Sequence, residues 1–230
     1  MTKEKWLILE TSGRRGQIAL AQGEAICARH YLDEARRHAR DLAPATQLLL
    51  AKQDWRPSEL TGVIVSCGPG SYTGLRVGVI SAKVWSYATG CAVLGVETFT
   101  AVASQAPSDA EVIEVLGDAQ QDKVYSQRFA RTASADLRAV LPLAVLPFTD
   151  WLANRDPAAW VTGPGMHRFR GRLAEFSLAV DPSLWDPTAE SVLRIGLSRF
   201  HAGQRDDPWT LQPLYLRPSS AEEQWKVVTG

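Results

Sequence analysis

The chain has 230 residues, enough for one large domain or two small lobes. Its Lys+Arg and Asp+Glu counts are equal at 25 each, so the net charge is zero, which argues against a protein that holds nucleic acid through a broad basic field of its own. A neutral subunit of a larger RNA-modifying assembly stays compatible with that balance. The N-terminal apolar run, Trp6–Leu9, is too short for a signal peptide, and no stretch approaches the ~20 apolar residues of a membrane span. The cysteines Cys27, Cys67 and Cys91 lack the spacing of a zinc knuckle or a redox pair. The expectation is a cytoplasmic chain with reduced thiols and no membrane contact.

Three strands open the chain: Trp6–Thr11, Gln17–Ala21 and Ala25–Tyr31, separated by turn signals at Gly13–Gly16 and at Gln22-Gly23. Tight connections make them an antiparallel meander. A helix is expected from about His38 to Gln53, with Leu42, Ala45, Leu48 and Leu49 at helical spacing and Pro44 in its first turn. Gly62–Ser66 reads as a buried strand, Cys67–Gly70 as a loop, and Ser71 to about Thr89 as a long helix. Ser71 suits its N-cap and Gly90 its C-cap. Ala92–Val96 is the next buried strand, which makes a right-handed parallel crossover.

The order then restarts. Glu111–Leu116, Val124–Ala130 and Ala139–Leu146 are three more strands in a row, followed by pieces at Phe148–Asn154, Trp160–Thr162 and Ala189–Ala202. The segment Pro213–Arg217, with Trp209 before it and Tyr215 within it, reads as ordered. A composition shift near Ala106–Asp109 divides the chain into a first lobe, 1–105, and a smaller second lobe, 106–230. The fold class expected from this duplicated order is α/β, with the two-lobed actin-like (ribonuclease H-like) layout.

The segment Cys67–Thr89 is the most informative. It lacks the Lys-Ser/Thr pair of a P-loop, and Thr73 stands where the dinucleotide GxGxxG needs its third glycine. Gly70, Gly74, Gly78 and Ala82 fall every fourth residue, on one helix face. Interior glycine costs about 1 kcal/mol relative to alanine, so a compensating close approach of another backbone is expected. That backbone belongs either to the protein's own sheet or to a second chain. The other faces carry Leu75, Val77, Val79, Ile80, Val84 and Trp85, more apolar surface than one helix usually buries on one side, which favours a second chain.

CGPGSYTGLRVGVISAK resembles the GPGSFTGLRIGLATAKG signature of the TsaB (YeaZ) family. LILETSGRRGQIAL is similar to that family's opening strand and hairpin, ARRHARDLAPATQLLL to its first helix, and VLGDAQQDKVYSQRF to the opening strand of its second lobe. Weaker likenesses lie in VTGPGM and PLYLRPSSAE. Departures are Glu10 in place of Asp, Ala39 and Asp41 in the HSE block, and Gln120 in place of Arg. The resemblance implies a chain without catalytic residues that pairs with TsaD, the metal- and ATP-binding partner, through the first two helices of the first lobe. The ATPase TsaE joins them, and tRNA is met only as part of the complex, which transfers threonylcarbamoyl to an adenosine beside the anticodon. With the helical spacings, this implies an interface at Leu42, Ala45, Leu49, Gly70, Ser71, Gly74, Gly78 and Ala82. A second copy of the chain could use the same patch.

The sequence offers little for chemistry of its own. His30, His38, His167 and His201 contain no pair four residues apart, so the two-histidine metal face of TsaD-type enzymes is absent and no metal or cofactor is expected. Glu10-Thr11-Ser12 and Asp118 occupy the strand ends where actin-fold phosphotransferases handle phosphate and Mg2+. They read as a vestigial nucleotide cleft. The alternative is an ATP-dependent phospho- or acyl-transferase that still uses them.

Overall fold

A computed structural model describes residues 3–32, 38–132, 136–173 and 178–216. Strands β1 (Lys5–Glu10), β2 (Gln17–Gln22) and β3 (Ala25–Tyr31) form the expected meander. Helix α1 (His38–Lys52) follows, then β4 (Gly62–Gly68), α2 (Tyr72–Thr89) and β5 (Ala92–Glu97), with β4 and β5 parallel to β1 and to each other. The first sheet therefore runs β3-β2-β1-β4-β5. A short helix that the sequence reading omitted, α3 (Thr98–Ala103), leads to β6 (Val112–Asp118), β7 (Lys123–Arg131) and β8 (Leu137–Pro147), a second meander. Helix α4 (Phe148–Asn154), strand β9 (Trp160–Thr162) parallel to β6, the single-turn helix α5 (Met166–Phe169) and helix α6 (Ala189–His201) follow among the described residues.

The second sheet runs β8-β7-β6-β9, the same order as β3-β2-β1-β4. The duplication is thus real at the level of topology, and the architecture is the two-lobed actin-like fold. Alternation explains the first sheet's two-sided core. Leu7 and Leu9 face α1 and α2, while Trp6 and Ile8 face α6.

One expectation needs correction. Pro44 lies in the second turn of α1, not the first. The backbone bond lost there is offset by burial of Leu42, Ala45, Leu49 and Leu50. Helix α6, which follows the second meander in the chain, packs on the first sheet. Val192, Leu193 and Leu197 of α6 pack against Trp6, Ile8, Ile64 and Leu94, because the far face of the first sheet needs a cover that its own crossover helices do not supply. Past α6, Leu211 joins the core under α2, and the Leu214 N–H donates to the Cys67 carbonyl at 2.8 Å. Of the segment Pro213–Arg217, Arg217 lies outside the described residues.

The chain crosses between lobes twice, near Gln105 and near Asp186–Thr188. Gln105 ties the crossings together: its amide N–H donates to the carbonyls of Leu184 (3.0 Å) and Asp186 (2.9 Å), and its amide oxygen accepts from Thr188 Oγ1 (2.7 Å). Gln17 of β2 holds the return crossing from the other side, donating to the Pro187 carbonyl at 3.3 Å and accepting from Ala189 N at 3.2 Å. Among the described residues no helix is long and apolar enough to cross a membrane.

Candidate functional site

Helix α2 is capped as its sequence predicts. Ser71 Oγ accepts from Gly74 N at 3.2 Å, and Gly90 closes the other end with φ +70°, a left-handed conformation that glycine adopts without strain. The glycine face of α2 meets the chain's own β1–β2 loop. A Cβ on Gly70 would stand 2.5 Å from the Ser12 carbonyl oxygen. One on Gly74 would stand 2.0 Å from the Thr11 carbonyl oxygen, and one on Gly78 2.2 Å from Thr11 Oγ1. Ser71 N–H donates to the Ser12 carbonyl at 2.8 Å, and Ala82 is fully buried. The missing side chains are what let strand end and helix touch, which offsets the helix propensity they forgo.

Most of the residues that spacing offered for an interface face inward in this chain. Leu42, Ala45, Leu49, Gly74, Gly78 and Ala82 all lie inside the first lobe; only Gly70 and Ser71 are exposed. Of the two backbones the glycine spacing could accommodate, it accommodates the protein's own. The surface of α1 and α2 lies one ridge over. Leu48 is 51% exposed and Ile80 and Val84 are each 59% exposed, with Val77 half-buried between helices. Because α2 is apolar on nearly all sides, periodicity could not tell its buried ridge from its solvent ridge. The signal was the presence of two apolar ridges, Leu75–Val79–Ala82 and Val77–Ile80–Val84, on one helix.

The cleft residues part company. Glu10 is fully buried, and one of its oxygens, Oε1, accepts from Ser12 N (2.7 Å), Gly13 N (3.2 Å), Ser66 Oγ (3.3 Å) and the Ser12 hydroxyl. Oε2 has no hydrogen-bond partner and sits beside Gly13. Burial pushes the carboxyl up to about 7, against the opposing pull of those hydrogen bonds. Thr11 Oγ1 is likewise buried and unpartnered, and Thr11 N–H donates to Ser66 Oγ at 3.2 Å. Glu10, Thr11 and Ser12 are therefore a packing unit under α2.

Asp118 takes the opposite course. It remains partly exposed at the end of β6, and both its oxygens accept from Arg168 at 3.1 Å. Its Oδ1 also accepts from Gln120 N at 2.8 Å. The β6–β7 turn holds Gln120, Gln121 and Asp122 all at positive φ (63°, 51° and 59°), and Asp122 is ion-paired to Arg172. Arg168 and Arg172, from the MHRFRGR segment, were not singled out from sequence. They neutralise both acids of this turn.

Among the described residues no group of three or more His, Cys, Asp or Glu is arranged to hold a metal. His167 Nε2 pairs with Asp186 at 2.8 Å, and His201 Nε2 with Glu4 at 3.2 Å. The side chain of His38 lies outside the described residues. Cys27, Cys67 and Cys91 are free thiols, and burial holds that of Cys67 up to about 12, so it carries no thiolate near neutrality.

Residues 32–162 match the family model described as TsaD: tRNA N6-adenosine threonylcarbamoyltransferase. The chain is 34% identical over 190 residues to an uncharacterized protein of Mycobacterium tuberculosis, covering 82% of this chain and 79% of that one. It is 27% identical to the tRNA threonylcarbamoyladenosine biosynthesis protein TsaB of Bacillus subtilis, covering 95% and 96% of the two chains. Among solved structures it resembles YeaZ from Pseudomonas aeruginosa, with 26% identity and a TM-score of 0.78 over 93% of this chain and all of that one. The glycine-bearing α2, the duplicated meander and these likenesses together place the chain in the TsaB (YeaZ) family, whose named members are tRNA threonylcarbamoyladenosine biosynthesis proteins.

Proposed function

We propose that this chain is a non-catalytic subunit that binds TsaD and supports transfer of threonylcarbamoyl to the adenosine beside the tRNA anticodon, with TsaE as the third member of the assembly. The observation that carries this reading is that both strand-end acids are engaged within the chain. Glu10 is folded onto its own loop beneath α2, and Asp118 is held by Arg168. A phosphotransferase of this fold needs a charged, solvent-reachable carboxylate at such a position to hold Mg2+. Glu10 is buried with a raised pKa, and its loop is packed against the start of α2.

The docking surface in this reading is the outer ridge of α1 and α2: Leu48, Val77, Ile80 and Val84. Apolar side chains exposed on two neighbouring helices are the kind of patch a partner covers. The buried glycine ridge sets the position of α2 on the sheet and so fixes where this ridge points.

The test is co-purification with TsaD from the same organism, followed by tRNA modification with and without this chain. A double variant, Ile80→Glu with Val84→Glu, should lose TsaD while keeping its circular dichroism and melting temperature. Turnover of ATP by the isolated chain above the buffer rate would overturn the non-catalytic reading and favour the transferase alternative.

A further inference from the structure

We propose that the segment 206–216, a strap running along α2, belongs to the docking surface, with Trp209 and Tyr87 as its aromatic anchor for a heterologous protein whose contact face is apolar with an acidic rim. This rests on the docking reading above and adds a second element to it.

The strap is fixed at its start. Asp206 pairs with Arg199 at 2.9 and 3.0 Å, accepts from Gly95 N at 2.7 Å, and donates its own N–H to the Val93 carbonyl at 3.0 Å. The strap then runs antiparallel to α2. Lys83 Nζ donates to the carbonyls of Trp209 (3.4 Å) and Leu211 (3.2 Å), and Leu211 enters the core. Tyr215 lies against Tyr72, with ring centroids 4.9 Å apart, and its hydroxyl accepts from Arg76 Nε at 3.1 Å.

Against that fixed backbone, the Trp209 side chain is left outside. It is 74% exposed and meets Tyr87, itself 75% exposed, edge to face at 5.7 Å. Two large aromatics held together in water by a pinned backbone are preorganised contact area, and Trp and Tyr are the side chains that most often dominate interface energy. Tyr87 is seven residues on from Ile80 and three from Val84, so the anchor continues the same α2 ridge.

Charge selects the occupant. On α1, Arg40, Pro44, Leu48 and Lys52 recur at fourth-residue spacing on one exposed face, and α2 carries no acidic residue. Asp41 of α1 is half-buried beside that face, and the Asp207 carboxylate of the strap accepts from Trp209 N at 2.9 Å. The rim presented by Arg40, Lys52 and Lys83 is cationic. Two copies set ridge to ridge would bring those cations together, whereas a partner with acidic residues around an apolar centre gains from them.

The experiment measures affinity of the full chain and its variants for purified TsaD by calorimetry, with melting temperature as the fold control. Trp209→Ala and Tyr87→Ala should each weaken binding about ten-fold or more with unchanged melting. Lys52→Glu should weaken it further as the rim charge reverses, and wild-type affinity should fall as salt rises. If Trp209→Ala leaves affinity unchanged while the Ile80/Val84 double variant abolishes it, the strap proposal fails and the docking reading survives. If neither variant matters, both fail. If the isolated chain sediments as a dimer that Trp209→Ala dissociates, a second copy is the occupant and the proposal is overturned.

Discussion

The inner and outer faces of α2 carry similar apolar content and do different work. On the inner face, Gly70 just before the helix and Gly74 within it meet the Thr11-Ser12 backbone and Gly78 meets the Thr11 hydroxyl, leaving no room for a single carbon atom. On the outer face, Ile80, Val84 and Tyr87 stand mostly in solvent. A face that seats the protein's own loop is intolerant of added volume. A face left in solvent tolerates substitution without loss of packing. The difference teaches that small residues on a helix mark a close approach, and that the identity of the approaching backbone is a separate question.

Substitutions on the two faces should therefore separate stability from binding. The largest effect belongs to Gly74→Leu. The obstructing atom is a backbone carbonyl oxygen that cannot rotate away, so the variant should lose several kcal/mol, on the order of the first lobe's whole margin, and appear as insoluble or unfolded protein on expression.

Next is Glu10→Gln, which acts beneath the same loop. A carboxyl raised from 4.5 to about 7 binds its proton more tightly folded than unfolded. Its contribution is fully present below about pH 4.5 and is lost as pH rises through about 7. At pH 8 the variant should be more stable than the parent by about 3 kcal/mol, and the difference should vanish near pH 4. Urea titrations at a series of pH values read both ends of that window.

Gly78→Ala comes third. Its obstruction is the side-chain oxygen of Thr11, which has no hydrogen-bond partner. The single variant should cost about 1–3 kcal/mol, and Thr11→Ala should recover much of it in a double-mutant cycle. Failure of the rescue would show that the fit depends on the loop backbone and not on that hydroxyl. On the outer face, Ile80→Glu should change stability by no more than about 0.5 kcal/mol while TsaD capture falls sharply. Asp118→Asn, in a partly exposed ion pair with Arg168, should change stability by about 0.5 kcal/mol or less by thermal melting and leave TsaD capture unchanged, the smallest effect of the series.

Much of the fold was legible. The strands of both meanders and the caps of α2 follow from alternation, from Ser71 and from Gly90, which are local features. Helix α3 escaped because TFTAVA is rich in β-branched residues and is helical only where Phe99, Val102 and Ala103 find the second core. The packing partner of α6 was not legible because α6 looks like any amphipathic helix. Nothing in its own pattern says which sheet it covers. At the site, Glu10 and Asp118 do lie at strand ends, but their surroundings were set by neighbours remote in sequence: Ser66 for the first, Arg168 for the second. For Leu42, Ala45, Leu49, Gly74, Gly78 and Ala82, the helices that carry them were legible and the direction each faces was not.

By itself the sequence determined the two-meander order, the capped glycine helix, the lack of paired metal-ligand spacing and the likeness to the TsaB family. Each rests on contacts or spacings within a few residues, where chain geometry leaves little choice. Tertiary structure alone decided which backbone the glycines receive, which side of α2 stays in water, and that Trp209 rests against Tyr87. Those outcomes depend on segments brought together from distant parts of the chain, and a helix apolar on almost every side holds no local record of which of them will arrive.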